Sequence, residues 1–293
     1  MGVPNGGKVE VFVGKLAGFC NGVKNAVKIA ENQIKEGQVY CLGEIVHNRQ
    51  VVDDLEQRGM ITVNSINDVP NGKKVIFRAH GESQEIYDNA KQKDLKIIDA
   101  TCGKVRLIHN KVSKEKDNSF IIIIGKKNHP ETIGTKGFSG NNSFVVEAED
   151  EILDAYKEYE KTNLGKVYVV CQTTISTKLF EKIKEEIENN FVEADIVIDN
   201  TICDATELRQ KEVCLMSKKC NKMIIIGGKN SSNTKELVNI AKENCNIVYG
   251  IETVEEIMDK KFNENDIIGI MAGASTPEKS IKEVKEYLER LKI

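Results

Sequence analysis

Cys20, Cys102 and Cys203 each stand just before a stretch patterned as a helix, in CNGVKNAVKIAE, CGKVRLIHNKV and CDATELRQKEV. A glycine follows each at nearly constant distance: Gly43 and Gly125 lie 23 residues on, and Gly227 lies 24 on. Just past each glycine is a polar residue able to hold a ligand. These are His47, His129 and Ser231, at 27, 27 and 28 residues from their cysteines. A second polar loop follows later in each unit, with His80 in VIFRAHGES, Thr173 in VYVVCQTTIS and Ser275 in IIGIMAGASTP. This regularity describes three copies of one unit, each offering one thiolate toward a pseudo-threefold axis. Three thiolates and no fourth suit a cubane iron–sulfur cluster with one iron left open for substrate. A structural zinc site with three cysteines and a histidine is the competing reading. Such sites usually draw cysteines in close pairs, whereas these three are 82 and 101 residues apart.

Short, continuously apolar runs alternate with helical stretches along the chain, the pattern of parallel strands covered on both faces. Eleven runs read as strands: 9–13, 38–42, 74–77, 96–98, 120–124, 144–146, 167–171, 196–198, 223–226, 246–248 and 267–271. After Cys20, the residues Val23, Ala26, Val27, Ala30 and Ile34 fall on one helical face, and Val105, Ile108 and Val112 do so after Cys102. The expected fold is α/β, with three pseudo-equivalent modules of parallel sheet around a central cluster. The modules are set at 1–101, 102–199 and 200–293. The polar loops take the places where open α/β sheets bind ligands, the carboxyl ends of the strands.

Composition fits this picture. In 293 residues, 40% are hydrophobic and 30% charged, and the net charge of −3 points to neither nucleic acid nor an anionic membrane. No apolar run approaches the roughly 18 residues of a membrane helix. The first seven residues read as a disordered lead-in without a secretory core, and a cytoplasmic protein is expected. Eight cysteines in such a chain read as ligands plus buried thiols rather than disulfides. Cys41, Cys171, Cys214, Cys220 and Cys245 have no partners across the repeat and read as small hydrophobes.

The stretches AGFCNGV, GEIVHNRQVV, RAHGES, DATCGKV, NHPETIGTKG, QTTIS, ICDAT with the following RQ, GGKNSSNTKEL and AGASTPE run from Ala17 to Glu278. In this order the chain resembles the 4-hydroxy-3-methylbut-2-enyl diphosphate reductases, the last enzymes of the methylerythritol phosphate route to isoprenoids. One departure is Gly103, where many members carry proline.

The resemblance implies one [4Fe–4S] cluster per chain, held by Cys20, Cys102 and Cys203, with one iron not ligated by protein. A helix N-terminus beside each cysteine suits an anionic group. It implies that His47, His80, His129, Thr173, Ser231, Ser232, Asn233 and Ser275 hold the substrate's diphosphate, whose oxygens need many donors. It implies catalytic roles for Glu131, as the source of the proton needed to lose the hydroxyl as water, for Thr173 as a relay, and for His129. The products would be isopentenyl and dimethylallyl diphosphate, and a ferredoxin or flavodoxin would supply electrons. Three of the chain's four histidines fall in the polar loops, while His109 falls inside the helix after Cys102 and reads as a core residue.

Two other classes share parts of this pattern. A dehydratase or condensing enzyme with three modules and three cysteines, as in quinolinate synthase, handles carboxylates and calls for arginine or lysine in the loops. Arg78 is the residue that fits it. An iron–sulfur carrier would use a fourth protein ligand and no phosphate cradle.

Overall fold

A computed structural model describes residues 9–291. The expected lead-in lies outside them. In chain order the strands are β1 (Glu10–Val13), β2 (Val39–Leu42), β3 (Met60–Val63), β4 (Lys74–Phe77), β5 (Lys96–Asp99), β6 (Phe120–Ile124), β7 (Ser143–Val146), β8 (Lys166–Cys171), β9 (Asp195–Ile198), β10 (Lys222–Ile226), β11 (Ile247–Ile251) and β12 (Ile267–Ala272). The helices are α1 (Asn21–Lys35), α2 (Arg49–Gln57), α3 (Gln84–Gln92), α4 (Gly103–Glu115), α5 (Pro130–Phe138), α6 (Ile152–Glu160), α7 (Thr177–Asn190), α8 (Asp204–Ser217), α9 (Ser232–Asn244) and α10 (Glu278–Arg290).

The strands form three four-stranded sheets, ordered β3-β2-β4-β5, β7-β6-β8-β9 and β11-β10-β12-β1, with every pair parallel. The α/β repeat read from the cysteines is therefore present in the backbone. The three orders are identical once β1 is taken as the closing strand of the third sheet. That placement departs from chain order. The first 101 residues were expected to form one module, yet β1 pairs with β12, Glu10 opposite Ile267 and Val13 opposite Ile270. The strand absent from the eleven expected runs is β3, a half-buried edge strand that pairs only with β2. Its four residues, MITV, are a short apolar run between the turn at Gly59 and Asn64-Ser65.

Two compact units contain these sheets. One comprises Gly22–Val46 and Val52–Cys203, with the sheets β3-β2-β4-β5 and β7-β6-β8-β9. The other comprises the chain up to Asn21, His47–Val51 and the chain from Asp204, with the sheet β11-β10-β12-β1. The alternation within β6 shows why the runs are continuously apolar. Phe120, Ile122 and Ile124 enter one core with Phe180, Ile183 and Ile187 of α7. Ile121 and Ile123 enter another with Ile108 and Val112 of α4. Both faces are covered, so neither parity of the strand is polar. Among the described residues, no helix is long and apolar enough to cross a membrane.

A buried ion pair lies in the sheet that β1 completes. Lys222 at the start of β10 and Asp266 are 4% and 6% exposed, and Nζ donates to the carboxylate at 2.5 Å and to the Lys261 carbonyl at 2.6 Å. Asp266 also accepts the Asn263 amide at 2.7 Å. Removing one partner strands the other charge in the core. Asp266→Ala is expected to cost about 3–5 kcal/mol of unfolding free energy, measured by denaturant titration, whereas breaking a solvent-screened surface pair such as Lys157–Asp154 should leave the unfolding midpoint essentially unchanged.

Candidate active site

The three cysteines occupy equivalent places. Each follows the closing strand of a sheet, and α1, α4 and α8 begin at the next residue, as the sequence pattern requires. In each sheet the cysteine amide donates to a carbonyl of the loop after the neighbouring strand. Cys20 N–H bonds Ala274, Cys102 N–H bonds Ala79 and Cys203 N–H bonds Thr173, each at 3.0 Å. Ala274 precedes Ser275 and Ala79 precedes His80, so every thiol is tied through the backbone to the second polar loop of its own sheet. The three cysteines form no disulfide and are half-buried, whereas Cys41, Cys171 and Cys245 are buried. Burial pushes the Cys41 thiol up to about 12 and the Cys171 thiol up to about 11, so both stay protonated at neutral pH. Cys214 and Cys220 are half-buried rather than buried.

The unit holding Cys102 and Cys203 brings His80, His129, Glu131 and Thr173 together. His129 caps α5. Its Nδ1 accepts the Glu131 amide at 3.2 Å, with Pro130 at the first helical position. The accepting Nδ1 identifies the neutral tautomer with its proton on Nε2. The His80 and His129 rings meet edge-on with centroids 5.5 Å apart. The Glu131 carboxyl is 3% exposed and lies against Thr173, whose amide donates to it at 2.6 Å and whose hydroxyl donates at 2.8 Å. Burial pushes this carboxyl up to about 7, against the opposing pull of both Thr173 bonds. A carboxyl near neutral pKa, joined to the hydroxyl of a residue whose carbonyl accepts the Cys203 amide, is equipped to deliver a proton.

The other unit gathers Cys20, His47, Ser231, Ser232, Asn233 and Ser275. Gly228 passes so close to the His47 loop that a Cβ there would lie 2.4 Å from the His47 carbonyl oxygen. Ser275 Oγ–H donates to that same carbonyl at 3.1 Å, so its hydroxyl serves to place the His47 loop. Ser231 caps α9, accepting the Thr234 amide at 3.2 Å and keeping its own proton to donate. Ser232 and Asn233 form the first turn of α9 and are buried. Both the Nδ2 and Oδ1 of Asn233 are buried without a protein partner, an arrangement costly unless a ligand supplies one.

Arg78 does not behave as a pocket cation. Its Nε donates to Glu82 at 2.9 Å, and its guanidinium lies on Gly43, where a Cβ would meet Nη1 at 2.3 Å. Gly43, at φ +69, is thus glycine for conformation and for space. His109 is a core residue, 4% exposed and stacked on Phe138 at 4.6 Å, and burial pushes it down to about 4. A residue passed over in the sequence is Gln172. Its Oε1 accepts the Lys126 amide at 3.0 Å and its Nε2 donates to Thr174 at 2.7 Å, which joins the first polar loop of that sheet to the second. The signal was a glutamine directly after the buried strand YVVC. Gly103 opens α4 with open space where a Cβ would sit, so the departure from proline disturbs no contact.

Three parallel four-stranded sheets, each followed by a cysteine at a helix start and bearing hydroxyl, amide or imidazole side chains in the loops after its strands, define a class of three-sheet α/β proteins, and comparison with known proteins gives its members. The profile of the LytB protein family matches residues 11–289. The 4-hydroxy-3-methylbut-2-enyl diphosphate reductase of Caldanaerobacter subterraneus is 40% identical over 290 residues, covering 97% of this chain and 98% of that one. The enzyme of the same name from Aquifex aeolicus is 39% identical, with 97% of each chain covered. Among solved structures, the E-1-hydroxy-2-methyl-but-2-enyl-4-diphosphate reductase of Plasmodium falciparum superposes with a TM-score of 0.84 at 33% identity, covering 96% of this chain and 87% of that one. A structure of (E)-4-hydroxy-3-methyl-but-2-enyl diphosphate reductase, described as the terminal enzyme of the non-mevalonate pathway, superposes with a TM-score of 0.69 at 39% identity, covering 97% and 100%. The chain belongs to the LytB protein family.

The raised Glu131 carboxyl has a stability consequence. The folded state holds this proton up to about pH 7, while the unfolded chain releases it near 4.5. Its contribution is fully present below 4.5 and is lost as pH rises through about 7. Glu131→Gln should remove up to about 3 kcal/mol of this pH dependence, read as a smaller fall in the Tm of the cluster-free protein between pH 4.5 and 8.

Proposed function

We propose that this chain is an iron–sulfur 4-hydroxy-3-methylbut-2-enyl diphosphate reductase. It removes the hydroxyl from (E)-4-hydroxy-3-methylbut-2-enyl diphosphate reductively and yields isopentenyl and dimethylallyl diphosphate in the cytoplasm. The observation that carries the mechanism is Glu131, a buried carboxyl raised to about 7 and bonded to Thr173 in the unit that also holds Cys102 and Cys203.

Cys20, Cys102 and Cys203 suit a [4Fe–4S] cluster with one iron unligated by protein. They are half-buried cysteines outside any disulfide at equivalent helix starts, and none has a close cysteine neighbour in sequence of the kind zinc sites use. When bound, such a cluster supplies single electrons from a ferredoxin or flavodoxin and a Lewis-acidic iron position.

The remaining work falls to side chains. The family resemblance assigns the diphosphate to His47, His80, His129, Ser231, Ser232 and Asn233. The unpartnered Asn233 amide is a group that phosphate oxygens would satisfy. Ser275 contributes by fixing the His47 loop. Glu131 in its protonated form delivers a proton through the Thr173 hydroxyl as the substrate hydroxyl departs as water, and a second proton, with two electrons in all, goes to either end of the allyl unit to give the two products. Arg78, committed to Glu82, supports no carboxylate substrate.

Anaerobic protein reduced with dithionite and a viologen, given the hydroxylated allylic diphosphate, is expected to form both five-carbon diphosphates. Glu131→Gln should lower turnover by roughly 10²–10⁴ with iron content unchanged. Wild-type turnover should fall as pH rises through about 7, where the acid loses its proton. Absence of product from protein that demonstrably carries a four-iron cluster would refute the assignment.

A further inference from the structure

Six residues, 14–19, lead from β1 to Cys20, whereas two lead from β5 to Cys102 and four lead from β9 to Cys203. The short approaches are held locally. Asp99 Oδ1 accepts the Thr101 amide at 2.9 Å, and Asn200 Oδ1 accepts the Ile202 amide at 3.1 Å, each an Asx turn just before the cysteine. The long approach has no such turn among its described bonds. Its internal backbone bond is Ala17 N–H to the Gly14 carbonyl at 3.2 Å.

Two charged side chains of α8 hold it instead. The Glu212 carboxylate accepts the Lys15 amide at 2.7 Å and the Leu16 amide at 2.9 Å. Arg209, 4% exposed, donates from Nη2 to the Gly18 carbonyl at 2.7 Å and from Nη1 to the Ala205 carbonyl at 2.8 Å. Residues three apart share a helix face, so both side chains address one stretch of loop. A carboxylate is matched to amide donors and a guanidinium to a carbonyl acceptor, as each group requires. Burying a guanidinium is costly, and an apolar side chain would fill the position without that cost. The retained charge points to the bond that it makes two residues before Cys20.

We propose that Arg209 and Glu212 are positioning residues that fix the Cys20 loop in its ligating conformation, from the helix that begins immediately after Cys203. The proposal rests on reading Cys20 as a cluster ligand. One helix then serves two ligands: it follows the third directly in the chain and braces the first through side chains.

The test compares wild type, Cys20→Ser, Arg209→Met, Arg209→Lys and Glu212→Gln after anaerobic cluster reconstitution. Iron release to a chelator is followed, together with amide hydrogen exchange across residues 15–18 and in β1. Cys20→Ser should fail to retain four irons per chain. Arg209→Met and Glu212→Gln should release iron roughly tenfold faster than wild type, with faster exchange in the loop and unchanged exchange in β1. Arg209→Lys, which keeps one donor, should fall between. If Arg209→Met does not fold, the nearly isosteric Glu212→Gln decides the outcome. Wild-type release rates in the α8 variants, with iron lost from Cys20→Ser, overturn the proposal and leave the ligand reading standing. Full iron retention by Cys20→Ser overturns the ligand reading and the proposal with it.

Discussion

A backbone hydrogen bond repeated in each sheet, from the amide of a cysteine to the carbonyl of the loop after the neighbouring strand, is the constraint on which the site depends. It follows from parallel pairing. When adjacent strands run the same way, their carboxyl ends lie on one edge, and the loops leaving them must pass close together. The bond uses main-chain groups only, so it fixes the Cα of each thiol irrespective of the side chains around it. The polar residue of that second loop can then vary, histidine in one sheet and threonine or serine in the others, while each cysteine keeps its place in its own sheet.

Two buried carboxylates in the same unit show how their surroundings divide their roles. Glu82 is paired with the Arg78 guanidinium and so is held as one half of an ion pair beneath the Gly43 turn, although burial still raises its carboxyl above the ordinary range. Among the described residues, the Glu131 carboxyl takes its hydrogen bonds from the neutral amide and hydroxyl of Thr173. A full positive charge beside it would favour the ionised form and remove the proton at neutral pH. The absence of a cation among its hydrogen-bond partners is what leaves this carboxyl able to exchange a proton near neutrality.

Much of this was legible because the repeat is a matter of loop length. Constant spacing from Cys20, Cys102 and Cys203 to Gly43, Gly125 and Gly227 reflects a constant path through one helix into the next strand, and the helix starts and strands fell where that path places them. The partner of β1 was not legible, since nothing local in EVFV distinguishes β12 from β2 as its neighbour. Ser275 could be placed in a loop by spacing, but the direction of its hydroxyl is set by the approach of the His47 carbonyl, a contact between residues far apart in sequence. The burial of Arg209 was likewise hidden, because a charged residue on a helix reads as surface until the loop it binds is in place.

The placement of β1 has a consequence for the order in which a newly made chain takes shape. Glu10–Val13 is made before every other described strand, but its pairing strand, Ile267–Ala272, is made after all of them. The other two sheets close over short sequence separations and are free to form during synthesis, since contacts near in sequence are the fastest to make. The sheet carrying Cys20 closes only when the carboxyl-terminal strand has emerged. Of the described strands, the one made first is therefore the last to be fixed, and the sheet that precedes Cys20 is incomplete until residue 272 has emerged.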